Sequence, residues 1–307
     1  MSTATPPGFL QRLNAIDRRW IFLAMALAVA GPIIWVGITK KTFPESARLP
    51  VKGAFATIQN APANAKVLVS FDFDPASAGE LQPMATAIIH HCAERGHKLY
   101  CMTLWAPGSP LIDSTLTAVV RNHYGSKYVY GENFVNLGFQ AGNEGVMKLV
   151  NTNFPKAFPT DGKGTPVDQI PMMKGIERVT DFDVLVSISA GYPGAKEWVQ
   201  YCVSTALTGG KPLKFVAGST GVQTPQLMPY FPVQMSGILG AIKGAAEYEF
   251  LVNENIMQAD GGKPIAPEFM EAQRRMAPQL VAHVLMVLLI ILGNVIFFTT
   301  RKRGATA

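Results

Sequence analysis

Cysteine is scarce in this chain: Cys92, Cys101 and Cys202 are the only three in 307 residues. An odd, scattered set excludes a disulfide framework, and each sits in an apolar pattern, so buried free thiols are expected. That usage favours a reducing compartment. No Lys/Arg stripe with interleaved aromatics occurs either, which argues against nucleic acid as a partner. The GxGxxG spacing of a dinucleotide site and the GxxxxGK(S/T) of a P-loop are both missing. His90, His91, Cys92, His97 and Cys101 lie close in sequence, but adjacent His90 and His91 would point about 100° apart on a helix. Their spacing fits no zinc pattern. No metal and no resident cofactor are therefore expected.

What the chain has in excess is hydrophobic length. Residues 20–38 (WIFLAMALAVAGPIIWVGI) and 277–298 (APQLVAHVLMVLLIILGNVIFF) carry no charge. Each holds roughly the twenty apolar residues that cross a hydrocarbon core about 30 Å thick. The first run offers a small-x-small cleavage site at Ala28-Val29-Ala30, yet its apolar character continues through Val36, so it reads as an uncleaved anchor. The second ends at Arg301-Lys302-Arg303, a cluster that resists translocation. The lipid bilayer is thus the expected partner.

Two spans put both termini on one side and the intervening domain on the other. Lys and Arg counts near the span ends nearly balance, but the Arg301 cluster abuts its helix directly. The expectation is cytoplasmic termini and an extracytoplasmic domain, a placement that the cysteine usage pulls against. The formal charge of +6 lies partly in these flanks, where it suits anionic headgroups.

Between the spans, short apolar runs alternate with amphipathic stretches. Strands are expected at 66–71, 98–104, 127–130, 183–189 and 213–217. Several are nearly continuous in Val, Leu, Ile and Phe, as strands buried on both faces must be. Leu81, Met84, Ala85, Ile88, Ile89 and Cys92 repeat at helical spacing, as do Ala195, Trp198, Val199, Cys202 and Ala206. Ser109-Pro110 reads as an N-cap and first helical position. This alternation predicts an α/β fold, a Rossmann-like, doubly wound, mostly parallel sheet, flanked by an N-terminal and a C-terminal transmembrane helix. The layout is a tail (1–19), span (20–38), tether (39–65), α/β domain (66–252), second tether (253–276), second span (277–298) and basic tail (299–307). Residues 151–181, rich in Pro, Gly and Lys, read as a surface excursion; Met172, Met173 and Ile176 would serve a docking flap.

Ligands of open parallel sheets bind at the carboxyl ends of the strands. Candidate ligand-binding residues there are Asp72 and Asp74 after the first strand and Thr103 after the second. Gly191 and Gly194 follow the fourth strand, and Ser219 and Thr220 the fifth. Gly191-Tyr192-Pro193-Gly194 would let a backbone approach an anion at a helix N-terminus. The hydrophobic strand 67–71 ending in Asp72-x-Asp74 resembles the first motif of haloacid-dehalogenase-type phosphatases. That resemblance implies Asp72 as aspartyl nucleophile, Asp74 as general acid/base, Thr103 as a phosphate-binding hydroxyl and Mg²⁺ between carboxylate and phosphate. It covers about ten residues. Pro75-Ala76 replaces the usual Gly-Thr, and no acidic pair follows the fourth strand. The alternative is a turn whose Asp side chains cap the next helix.

Residues 235–248 (MSGILGAIKGAAEY) are helical in period and rich in small residues. Gly237, Gly240, Ala241 and Gly244 would form a flat strip for close packing, on the same domain or on another subunit. His283 and Asn294 lie about three turns apart in the second span and are expected to face a neighbouring helix. Together these features predict a non-catalytic binding or assembly protein, within a homo-oligomer or beside other membrane subunits. Two further readings are a membrane-anchored phosphate- or acyl-ester hydrolase at the Asp72/Gly191 rim and an accessory, solute-sensing subunit of a transport or export system.

Overall fold

A computed structural model describes residues 17–125, 127–259, 261 and 265–304. It separates into two units: Glu45–Gln273, and residues 17–44 with 274–304.

In the first unit, the apolar runs become strands because nothing along them needs water. β1 (Lys66–Asp72) and β4 (Val184–Ser189) are buried almost throughout. With β2 (Lys98–Thr103), β3 (Phe134–Phe139), β5 (Lys214–Ser219) and β6 (Gly237–Gly240) they form one six-stranded sheet in the order β3-β2-β1-β4-β5-β6. Every neighbouring pair is parallel, with Val67 opposite both Leu99 and Val184. The order reverses between β1 and β4, which opens a crevice at their carboxyl ends.

Helices α2 (Leu49–Gln59), α3 (Ala78–Glu94), α4 (Ser109–Thr115), α5 (Glu144–Val150), α6 (Ala195–Trp198) and α7 (Ala241–Ala259) surround the sheet. α3 and α7 pack together, and α2 lies against β6 and α7. One core cluster joins Leu68, Tyr100, Leu185 and Phe215 of the strands to Trp198, Val199 and Cys202 of the α6 segment. Excursion 151–181 closes that cluster: Phe154, Phe158, Met172, Met173 and Ile176 are all buried in it. Burying its methionines beside Phe and Val removes apolar surface from water, so they face the chain's own core. All three cysteines are free and buried, as their apolar surroundings predict.

Several elements differ from expectation. Residues 127–130 form no strand; Tyr130 makes one isolated bridge to Phe134, and β3 begins after the turn at Gly131. Asn136 and Gly138 hide β3 in the sequence, yet Asn136 Oδ1 accepts the Gly138 N–H at 2.9 Å across a bulge against β2. Helix α2 occupies residues expected as tether; its Pro50 sits in the first turn, where a missing N–H costs nothing. The cap of α4 is Gly108, with Ser109 its first residue. Residues 235–248 are not one helix: β6 ends at Gly240, and Ala241, in the left-handed region at φ 55°, turns the chain into α7.

The second unit holds α1 (Arg18–Thr39) and most of α8 (Glu271–Gly304). Asp17 caps α1 by accepting the Arg19 N–H at 2.9 Å, and the helix runs unbroken through Pro32. Segments Arg18–Thr39 and Pro267–Thr299 are long and apolar enough to cross a membrane, with mean hydropathies of 2.4 and 2.7. The first turn of α8 belongs to the sheet unit, where Glu249 of α7 accepts the Ala272 and Gln273 N–H groups at 3.0 and 2.9 Å.

Candidate functional site

β1 delivers Asp72 to the reversal point, and the fold consumes it there. The residue has no solvent exposure. Its Oδ1 accepts the Leu104 N–H at 2.8 Å, and its Oδ2 accepts the Ser70 hydroxyl at 2.6 Å and the Trp198 indole N–H at 3.2 Å. Burial pushes the carboxyl up to about 6, against these hydrogen bonds, which favour the charged form. The carboxylate thus ties β1 to the end of β2 and to α6. No face of the carboxyl is open to solvent.

Its neighbours are similarly engaged. The buried Thr103 hydroxyl stands 2.7 Å from the Phe71 carbonyl and accepts the Trp105 N–H at 2.9 Å. Asp74 accepts the Ser77 N–H at 3.0 Å in the turn before α3, whose N-cap, Ser77, has no side-chain cap hydrogen bond. At the 191–194 turn, the Gly194 N–H donates to Glu197 and the Ala195 N–H to Ser189 Oγ, at 2.9 and 3.1 Å. Both N–H groups at the start of α6 therefore already have acceptors. A Cβ on Gly194 would stand 2.7 Å from Ser189 Oγ, so only glycine fits this turn. Gln223 bridges the next loop, accepting from Ser189 Oγ and donating to the Gly191 carbonyl, both at 3.1 Å. The Trp105 indole N–H donates to the Pro193 carbonyl at 2.8 Å.

Polar closure gives way to open space at the β6 edge. Ser219 Oγ pairs with Thr224 Oγ1 at 2.9 Å, and that hydroxyl donates to the Thr220 carbonyl at 2.8 Å. Just beyond, a cavity of 540 Å³ lies between the first turns of α2 and α7 and the segment after β5. Val51, Pro225, Met228 and Ile238 supply apolar wall; Arg48 and Lys243 supply charge. Each cation pairs with a buried carboxylate, Arg48 Nε with Glu247 at 2.8 Å and Lys243 with Glu45. Around the strand ends Leu49, Phe139, Tyr192, Val222 and Val233 are exposed.

The remaining candidates separate. A Cβ on Gly237 would stand 2.1 Å from the Ala54 nitrogen of α2, Gly240 abuts Thr224, and Gly244 abuts Leu239. These glycines thus serve close approach inside their own domain, and Ala241 lines the cavity. His283 and Asn294 are exposed on α8, and Asn294 Nδ2 donates to its own helix at the Ile290 carbonyl, 2.8 Å away. His90 and His91 are buried and bond Tyr124 and Tyr248; burial pushes both imidazoles down to about 3, so they stay neutral.

Sequence reading missed the Arg48/Lys243 cavity. The pair is joined only in three dimensions, through Glu247 and Glu45. No protein-family model matches the chain, and no curated protein matches it.

Proposed function

We propose that the protein is a two-span membrane protein carrying a Rossmann-like domain that works by binding and assembly rather than by catalysis. The strand order, with its single reversal between β1 and β4, supports the Rossmann-like reading. The two long apolar helices support the anchoring, with both termini on the cytoplasmic side and the domain opposite. One observation carries the non-catalytic reading: Asp72 is wholly buried with both oxygens engaged, and the Thr103 and Ser189 hydroxyls near it are bound within the protein. What the rim offers instead is exposed apolar side chains at Phe139, Tyr192 and Val222, suited to a second copy or another membrane subunit.

Alkaline carbonate extraction of membranes, followed by crosslinking and sizing in an uncharged detergent, tests this. The chain is expected to stay with the membrane pellet and to run as a complex larger than one copy. A monomer that hydrolyses a phosphate or acyl ester, and loses that activity with Asp72→Asn, would overturn the proposal.

A further inference from the structure

We infer that the cavity between α2, β6 and α7 holds the headgroup of an anionic phospholipid. Its 540 Å³ lies within the range of small-molecule sites, and its walls are apolar apart from Arg48, Lys243 and Thr224. The glutamates do not cover these cations. Glu247 meets Arg48 at its Nε edge, and the Arg48 and Lys243 side chains remain 58% and 47% exposed. A planar guanidinium and an ammonium on one cavity wall suit a phosphodiester. The first turns of α2 and α7 add no acidic side chain; a further carboxylate at the wall, Glu80, accepts the Gly221 N–H at 2.9 Å.

The surroundings favour a lipid over a free anion. Leu49 is 71% exposed beside Arg48, Val222 is 86% exposed beside Gly221, and Met228 is 43% exposed on the wall itself. Water gains nothing from such a rim, whereas acyl chains would cover it. The choice of a lipid rests on the anchoring proposed above, which brings the chain to a bilayer.

Native mass spectrometry of the full chain released from an uncharged detergent tests the site. Phosphatidylglycerol and phosphatidylcholine with identical chains are the probes, and glycerol 3-phosphate is the soluble comparison. The expected result is about tenfold tighter binding of phosphatidylglycerol than of phosphatidylcholine, with glycerol 3-phosphate weaker than both. The double variant Arg48→Met/Glu247→Gln leaves no buried carboxylate unpaired and should erase the preference. Met228→Trp, which leaves both ion pairs intact, should lower the lipid's affinity by filling the cavity. Equal binding of the two lipids, glycerol 3-phosphate binding as tightly as lipid, or a preference that survives both variants would each overturn the inference. A chain extracted by carbonate that still selects phosphatidylglycerol would fail the anchoring reading alone; a chain kept in the pellet without lipid preference fails this one alone.

Discussion

At the centre of the sheet, where β1 meets β4, Asp72, Thr103, Ser189 and Gln223 are buried and hydrogen-bonded within the protein. At the β6 edge, Arg48 and Lys243 stand about half exposed over a cavity, each held by a carboxylate that is itself buried. Both regions lie at carboxyl ends of parallel strands, the usual place for ligands. The centre uses its polar groups to hold the crossover together, because a buried donor or acceptor left alone costs about 1–3 kcal/mol. The edge uses buried polar groups only as supports for cations that face outward. Position in a fold therefore nominates a site, but satisfaction of its polar atoms decides whether it is vacant.

The comparison breaks most sharply at Asp72. Replacing it with Ala strands the Leu104 and Trp198 N–H groups, and the sheet unit is expected to lose about 4 kcal/mol in denaturant titration of the detergent-solubilised chain. A loss below about 1 kcal/mol would mean that the centre is not a clamp.

Slightly smaller is the pH effect of the same carboxyl. Its folded value of about 6 lies above the ordinary 3.8, so between these values the folded state keeps a proton that the unfolded state releases. Its stabilising contribution is full below about pH 4 and is lost as pH rises through 6, a swing of about 3 kcal/mol. Asp161 and Asp181, held below the usual carboxylate range, and the neutral buried His90 and His91 pull the other way on acidification. The difference between wild-type and Asp72→Asn stability curves from pH 4 to 7 isolates the term. A flat difference would show that this carboxyl does not carry the elevated proton affinity.

Trp198→Phe keeps an aromatic body and removes one donor to Asp72, so about 2 kcal/mol should be lost. It should also raise the carboxyl's proton affinity further, visible as a shift of the same difference curve toward higher pH. At the edge, Val222→Ser should change stability by less than about 0.5 kcal/mol, since the residue is 86% exposed. Thermal melts of the two variants side by side would expose an edge that is as structurally committed as the centre.

β1, β2, β4 and β5 were legible because each centres on a short apolar run, Val-Leu-Val in β1 and β4, Leu-Tyr-Cys-Met in β2 and Phe-Val-Ala in β5. β3 was obscured by Asn136 and Gly138, whose use depends on a bulge visible only in three dimensions. β6 was hidden because Gly-Ile-Leu-Gly runs directly into a good helix, and the boundary rests on the backbone conformation of Ala241. α2 looked like tether since Pro50 and Gly53 read as breakers; Gly53 instead allows a close approach to the Ser236 carbonyl. The Asp72-x-Asp74 motif was plain in sequence, but its burial was not, because the Trp198 donor comes from the far side of β4. The Arg48/Lys243 cavity joins residues almost two hundred positions apart, and no local spacing encodes it.

The three cysteines have a practical consequence. Each thiol is buried, and burial pushes its proton affinity up, so thiolate, the reactive form, is suppressed at neutral pH. The native chain is therefore expected to be silent toward maleimides. A single Cys placed at Val233, which is 79% exposed, becomes the sole labelled position without any prior cysteine removal. A membrane-impermeant maleimide applied to intact cells and to inverted vesicles would then report which compartment the domain occupies.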